Sequence, residues 1–365
     1  MEKFHFNPIP LNYKTIRYFP NIETLHLWEE EDEYFGNEFM TNTEENEDCE
    51  NENSENGVVL KKEFYRIIVW FTVDFETVYI NKSQNIEFKN VTYTQNDRKK
   101  FGNNIPSSVT SIGQQCFYNC IKLSSVTLPS RMTSISDCCF KECSSLSDVT
   151  LPSNLSGVNI PSSVTSISYC CFYGCSSLSS LKIPSTITSL GLQCFYDCSN
   201  LSSVTIPSRV TTIGEKCFCG CSSLGNVTIP SSVESIGKEC FYFCINLSSV
   251  TLPLNVTTIK NECFYYCTNL CSVTISPRVT KIGYKCFGYC ISLSNVTIPL
   301  NVTSIGKCCF FKCTSLSNVT IPSSVTSIGE YCFHNCSNLG SVTILSSVSS
   351  LEKHCFPSNT VVHRG

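Results

Sequence analysis

Thiols are the side chains whose number and spacing most invite a chemical reading. The chain has 365 residues, 27 of them cysteine. Eleven cysteines stand directly before a phenylalanine, from Cys116 and Cys139 to Cys332 and Cys355, and ten more follow four residues after one of these, from Cys120 to Cys336. Cys49, Cys138, Cys170, Cys219, Cys271 and Cys308 fall outside both columns. A Cys-x3-Cys array can bind a metal, form disulfides between neighbouring units, or fill a core. Common zinc modules use Cys-x2-Cys with histidine nearby and an accessible thiolate, which this pattern lacks. Disulfides need Cα atoms about 4.4–6.8 Å apart and an oxidising compartment. Free cysteine is also among the most buried residue types, and buried filler is the favoured reading. No metal or cofactor is expected.

Other catalytic groupings are missing from the pattern. His5, His26, His334, His354 and His363 are scattered, no glycine-rich phosphate loop occurs, and no carboxylate pair repeats at a fixed offset. General acid–base or phosphate chemistry needs such groups held together. The chain therefore reads as a non-enzyme.

The elements that must position these residues come from a period of 23. The Ile or Leu opening each unit stands at Ile105, Leu128, Ile160, Ile183, Ile206 and onward to Ile344, every step being 23 residues except the 32 between Leu128 and Ile160. A fixed period of this length predicts a solenoid whose units bury their apolar faces against neighbours. In the unit around Ile183, Leu181 and Ile183 share one face of a short strand, with Ser180 and Lys182 on the other. Pro184 ends the strand because it has no donor for the ladder. Val164 and Ile167 mark a second apolar stretch. The apolar positions of Cys-Phe-x3-Cys predict one or two helical or 3-10 turns beneath the strand. The expected fold class is an α/β repeat solenoid with a parallel β-sheet and about eleven repeats over 105–365. The nine extra residues Leu151 to Asn159 carry no Cys-Phe half and are expected to form an inserted loop or partial strand.

Charge divides the chain unevenly. Residues 1–57 hold 15 acids against 3 bases, and 13 of the acids lie between Glu29 and Glu55 without one Lys or Arg. Such a composition buries too little apolar surface to order itself, so 29–57 is expected to be a disordered insertion. Residues 1–28 are expected to supply a cap strand and 58–104 a β-rich cap. The remaining bases are scattered over the units, which excludes a clustered nucleic-acid footprint. The longest apolar run, Ile67 to Val73, is far too short to span a bilayer. No basic and apolar leader follows Met1, so the cytoplasm is the expected location.

Partner binding must then come from exposed positions. The outward strand positions, such as Ser203 and Thr205, offer hydroxyls but few of the large anchors that dominate interfaces. Aromatic residues gather just after the Cys-Phe pair: Tyr118, Tyr173, Tyr196, Tyr242, Tyr265 and Phe311, with Phe243, Tyr266 and Tyr289 one place on. Part of each ring is expected to reach the lateral surface and to contact a protein partner.

The unit, as in Ile321-Pro-Ser-Ser-Val325-Thr-Ser-Ile328-Gly329-Glu-Tyr-Cys332-Phe333, resembles the leucine-rich repeat of the bacterial surface antigen BspA and of BspA-like families in parasitic protozoa. The likeness covers residues 105–356. It implies a horseshoe-like solenoid used in adhesion or protein recognition, and with it a place at the cell surface. Cysteine stands where most relatives have alanine, and Pro277 falls one place late. Segments 4–28 and 86–104 resemble the N-terminal part of amoebic members, many of which begin with a stretch similar to an F-box. That stretch is not found here. The resemblance therefore carries a second reading, a substrate-recognition subunit of a ubiquitin-ligase-like assembly in a shortened member.

Overall fold

The structure is a computed structural model that describes residues 11–12, 14–18, 22–37, 39, 62–150 and 166–365, with backbone alone at 148–150 and Lys182. Three parallel strands form the cap: β1 (Thr24–Leu27), β2 (Arg66–Asp74) and β3 (Ile86–Tyr93), with Leu25 opposite Ile67 and Val69 opposite Phe88. Their β-branched and aromatic residues favour strands. Two short helices follow β2 and β3. The first, α1 (Phe75–Ile80), starts where the Asp74 carboxylate accepts the Thr77 N–H at 2.8 Å. The second, α2 (Gln95–Phe101), opens on a capping box between Thr94 and Asp97. The buried Asp97 carboxylate also accepts from the N–H groups of Phe75 and Glu76, at 3.3 and 2.8 Å, and so fastens the start of α1 to α2. Strand β3 then pairs with the first strand of the array, Thr92 opposite Ser111 and Tyr93 opposite Ile112. The cap therefore covers the open end that a solenoid would otherwise expose.

At its start, the segment expected to be disordered instead carries ordered turns. The Asp32 carboxylate accepts from the N–H groups of Trp28 and Glu29, at 2.6 and 3.1 Å. Phe35 and Phe39 are buried, with Phe39 against Phe71 and Phe88 at ring separations of 6.2 and 5.5 Å. These two apolar side chains set among the acids supply the burial that a charge count overlooks. Residue 38 and residues 40–57, the rest of that segment, lie outside the described residues.

Each repeat contributes two strands that pair in parallel with the same positions 23 residues away. Two-residue strands such as Ser189–Leu190 and Thr212–Ile213 build one ladder. Three-residue strands such as Ser203–Thr205 and Asn226–Thr228 build the other, and there Val204 and Val227 are buried while their neighbours face solvent. Inward and outward positions thus follow the two-residue alternation of the sequence.

The Cys-Phe segment forms neither the helical nor the 3-10 turns expected; among the described residues, 105–365 contain no helix. Its N–H groups alternate between two kinds of partner. Those of Gln115, Phe117 and Asn119 reach the carbonyls of Asp137, Cys139 and Lys141 in the next repeat, at 3.1, 2.9 and 2.8 Å. Those of Cys116, Tyr118 and Cys120 close local turns onto Gly113, Gln115 and Phe117. Alternation of this kind requires left-handed backbone at every fourth residue. Gln115 and Asn119 both have φ of 55°, and glycine takes the second such position at Gly174 and Gly220.

Phenylalanine rings run through the core as one stack. Phe117, Phe140, Phe172, Phe195 and their successors to Phe356 lie 5.1–5.5 Å from the next ring. The stack crosses the long step between repeats without a break, since Phe140 and Phe172 are 5.5 Å apart and 7° from parallel. The inserted residues Leu151 to Asn159 lie outside the described residues.

Hydroxyls make further ladders, which accounts for the wealth of Ser and Thr. Ser202 donates to the Ser179 carbonyl, and Thr303 and Thr326 donate to Thr280 and Thr303 in turn, each to a residue 23 positions earlier. At the C-terminal end, Val361–Arg364 pairs in parallel with Ser341–Ile344. No described helix is long and apolar enough to cross a membrane.

Candidate partner-binding face

The thiol columns have structural partners. In the second column, the Cys143 thiol donates to the Phe117 carbonyl at 3.0 Å, and Cys198, Cys221, Cys244, Cys267 and Cys336 do the same to the Phe of the preceding repeat at 3.0–3.2 Å. First-column thiols such as Cys194, Cys240 and Cys286 are fully buried beside the phenylalanine stack. Burial pushes the column thiols well above their ordinary pKa, with Cys143 and Cys263 raised to about 12. The 26 described cysteines are free thiols. Among the described residues no group of three or more His, Cys, Asp or Glu side chains is placed to hold a metal ion. These columns are therefore suited to holding repeats together and poorly suited to nucleophilic chemistry.

The aromatic positions lie on a different face, beside the left-handed residues of the Cys-Phe turns. The structure divides the sequence-derived stripe into two groups. Tyr173 and Tyr196 stack at 4.6 Å with planes 5° apart, and the Lys141 Nζ lies 4.6 Å from the Tyr173 ring centre. Cys219 and Gly220 take the equivalent places in the next repeat and interrupt the run. Tyr118 is exposed and stands apart near the cap.

The larger group is continuous. Tyr242 lies 5.5 Å from Tyr265, and Phe243 lies 5.3 Å from Tyr266 in the next repeat. Tyr266 stacks on Tyr289 at 4.2 Å and 13°, and Tyr289 meets Phe311 at 5.6 Å. Tyr265 turns edge-on to both Tyr266 and Tyr289. Gly288 makes room for this: a Cβ there would come within 2.7 Å of the Tyr265 ring. Burial raises Tyr265 to about 12, and the side-chain hydrogen bond between Tyr266 and Tyr289 raises Tyr266.

Three parts of this face escape the sequence pattern. His334 continues the ribbon 5.9 Å beyond Phe311, and Tyr331 and His354 extend it by stacking at 5.5 Å. Lys285 lies over Tyr265 and Tyr284 at 5.1 and 5.0 Å, and Lys312 over Tyr289 and Phe311 at 4.9 and 5.7 Å. Such cation–π contacts hold long side chains in place without removing their charge. Lysine at two residues past Phe or just before the Cys-Phe pair is the available signal, visible only once the rungs are stacked.

Comparison with known proteins adds the relationships of the chain. A family model described as the BspA type leucine rich repeat region matches in six copies over residues 87–159, 153–271 and 234–362. No curated protein matches. Among solved structures, the chain is similar to a leucine-rich repeat protein from Eubacterium ventriosum, with 24% identity, a TM-score of 0.46, and coverage of 76% of this chain and 73% of that one. It is similar also to a leucine rich cell surface protein from Faecalibacterium prausnitzii, with 26% identity, a TM-score of 0.40, and coverage of 74% and 82% respectively. A leucine-rich repeat protein from Bacteroides ovatus gives 24% identity, a TM-score of 0.34, and coverage of 72% and 91%.

Proposed function

The chain belongs to the BspA-type leucine-rich repeat family, and from that premise we propose that it is a non-enzymatic recognition scaffold that binds a protein partner through the aromatic face from Tyr242 to Phe311. The observation that carries the proposal is the run of rings across successive repeats at Tyr242, Tyr265, Tyr289 and Phe311. The fold's own core is already closed by the phenylalanine stack and the thiol columns. Aromatic side chains in excess of that need are the kind of residue enriched at interfaces. The strand face offers short polar side chains such as Ser203, Thr205 and Asn226, with few of the large anchors that dominate interfaces.

The test compares two variants that both keep the core. Tyr266→Ala/Tyr289→Ala should lose proteins cross-linked to the native chain in its own cells, whereas Thr205→Ala/Thr228→Ala should keep them. The reverse result would move the site to the strand face, and no loss from either variant would remove both. Adhesion at a surface and recognition inside a cell are separated by antibody labelling of intact against permeabilised cells. No observation favours the ubiquitin-ligase reading over this one.

A further inference from the structure

The part of the aromatic face beyond Glu262 carries an excess of positive charge. Between Glu262 and Glu330 the sequence contains no acid, while Arg278, Lys281, Lys285, Lys307 and Lys312 all fall inside that interval. Lys307 is paired with Glu330 at 2.6 Å, and Arg278 leans on Asn255. Lys281, Lys285 and Lys312 make no ion pair with a described carboxylate. The side-chain hydrogen bond from Lys285 to Tyr284 holds the ammonium above its ordinary pKa, and the nearby Glu262 carboxylate adds to the shift.

A shallow groove of about 300 Å³ continues this surface, lined by Lys238, Lys260, Lys281 and Asn261. The Asn261 side chain accepts the backbone N–H of Tyr284 at 2.9 Å, and Tyr284 is the ring that Lys285 covers. Groove and aromatic face are thus one surface. Of the groove lysines, Lys238 is held by Glu239 and Lys260 donates to Ser235. Lys281 is exposed, in the repeat after that of Lys260.

Ring orientation restricts what can bind. Tyr266 and Tyr289 stack on each other, and Lys285 and Lys312 lie over ring faces, so much of the π surface is already occupied. What remains open is ring edge and ammonium, both positive. A nucleobase needs an open ring face on which to stack. A carboxylate needs donors and positive charge, which this surface has in excess.

We propose that the surface joining the Lys281 groove to Tyr266, Tyr289 and Lys312 binds an acidic, extended peptide segment of a partner protein. The inference rests on the aromatic face being the recognition surface, and adds the chemistry of its partner. Carboxylates of the peptide meet Lys281, Lys285 and Lys312, and apolar side chains toward its other end lie against the half-exposed Phe243. Lys281 and Lys285 belong to one repeat and Lys312 to the next, so the three charges cluster over two adjacent rungs about 4.8 Å apart.

The test uses the full chain and a fluorescein-labelled peptide of alternating Glu and Phe, read by anisotropy at low salt. Reversing Lys281, Lys285 and Lys312 to Glu should weaken binding by about tenfold or more, the cumulative effect of several partly exposed pairs. The same charge change placed at Lys122, Arg131 and Lys353 should leave binding within about twofold, with screening reduced equally in both. If the Glu variant unfolds, as judged by its urea midpoint, Lys281→Gln/Lys285→Gln/Lys312→Gln takes its place with a smaller loss expected. No peptide binding, equal loss from the distant reversals, or tighter binding of a single-stranded oligonucleotide than of the peptide would each overturn the proposal. Partner loss in Tyr266→Ala/Tyr289→Ala alongside full partner retention in the lysine variants would keep the aromatic site and reject its acidic ligand.

Discussion

The Cys244 thiol lies 3.1 Å from the carbonyl oxygen of Phe218, one repeat earlier, and donates to it. That carbonyl also accepts the Cys221 N–H of its own turn. The second cysteine column thus ties each phenylalanine of the stack to the following repeat, a role that alanine cannot fill. In the first column, Cys240 contributes mainly its volume beside Phe241.

Cys244→Ala should therefore cost more than Cys240→Ala. The first loses a buried donor as well as a methyl-sized volume, about 1–2 kcal/mol, whereas the second loses volume alone, about 1 kcal/mol or less. Urea midpoints of the two single variants measure the difference. Equal losses would show that the thiol hydrogen bond contributes nothing to stability.

Stability should fall steeply in alkali. Burial raises thiols such as Cys240, Cys244 and Cys267 well above the ordinary thiol range. A group whose folded pKa is raised keeps its full contribution below the unfolded pKa and loses it as pH climbs beyond that point. Each such thiol then costs about 1.4 kcal/mol per pH unit, because the unfolded chain ionises and the folded chain does not. In the presence of a reductant, the urea midpoint should be flat up to about pH 8 and should drop sharply by about pH 10. Replacing several column cysteines by alanine should flatten the drop. A midpoint independent of pH across that window would contradict the burial of the columns.

Left-handed backbone at Gln115 offers a gain in stability. Its φ is 55°, its side chain is exposed, and only its backbone N–H and carbonyl take part in the turn. Gln115→Gly should stabilise by about 0.5–1 kcal/mol by removing the Cβ penalty, and Gln115→Val should destabilise by about 1 kcal/mol or more. Thermal midpoints of the pair decide the matter, since a loss from glycine would mean that chain entropy outweighs the local strain.

The period, the parallel pairing and the inward set of residues were legible in the sequence, because strand alternation leaves Val204 and Thr205 no choice of face. The Cys-Phe turns were not. Apolar residues at Cys116, Phe117 and Cys120 satisfy a helical spacing equally well, and what decides against a helix is that Phe117 bonds to Cys139 in the next repeat. A single unit contains no trace of that bond. Similarly, counting acids between Glu29 and Glu55 hides the burial of Phe35 and Phe39. Tyr266 and Tyr289 could be picked out as aromatic positions, but Gly288 as the space for Tyr265, and Lys285 and Lys312 over the rings, exist only once neighbouring repeats are stacked.

Thiol accessibility gives the last prediction. Cys49, Cys219 and Cys271 fall outside the two columns and on that ground alone would be expected to react, and the structure revises that set. Cys49 lies outside the described residues, and Cys271 is exposed as expected. Cys219 is buried beside Tyr196, and burial pushes it up to about 12, so it should resist alkylation. Cys120 and Cys308 are partly open and should react slowly in its stead. Iodoacetamide at about pH 8 should therefore modify Cys271 first, because thiolate fraction and access together set the rate. Denaturation without a reductant should then expose all 27 thiols of the chain. Peptide mapping after each treatment identifies the sites. Early modification of Cys219 would break the assignment of the turn that holds it, and thiols that react only after reduction would mean that the columns are bonded between repeats rather than merely buried.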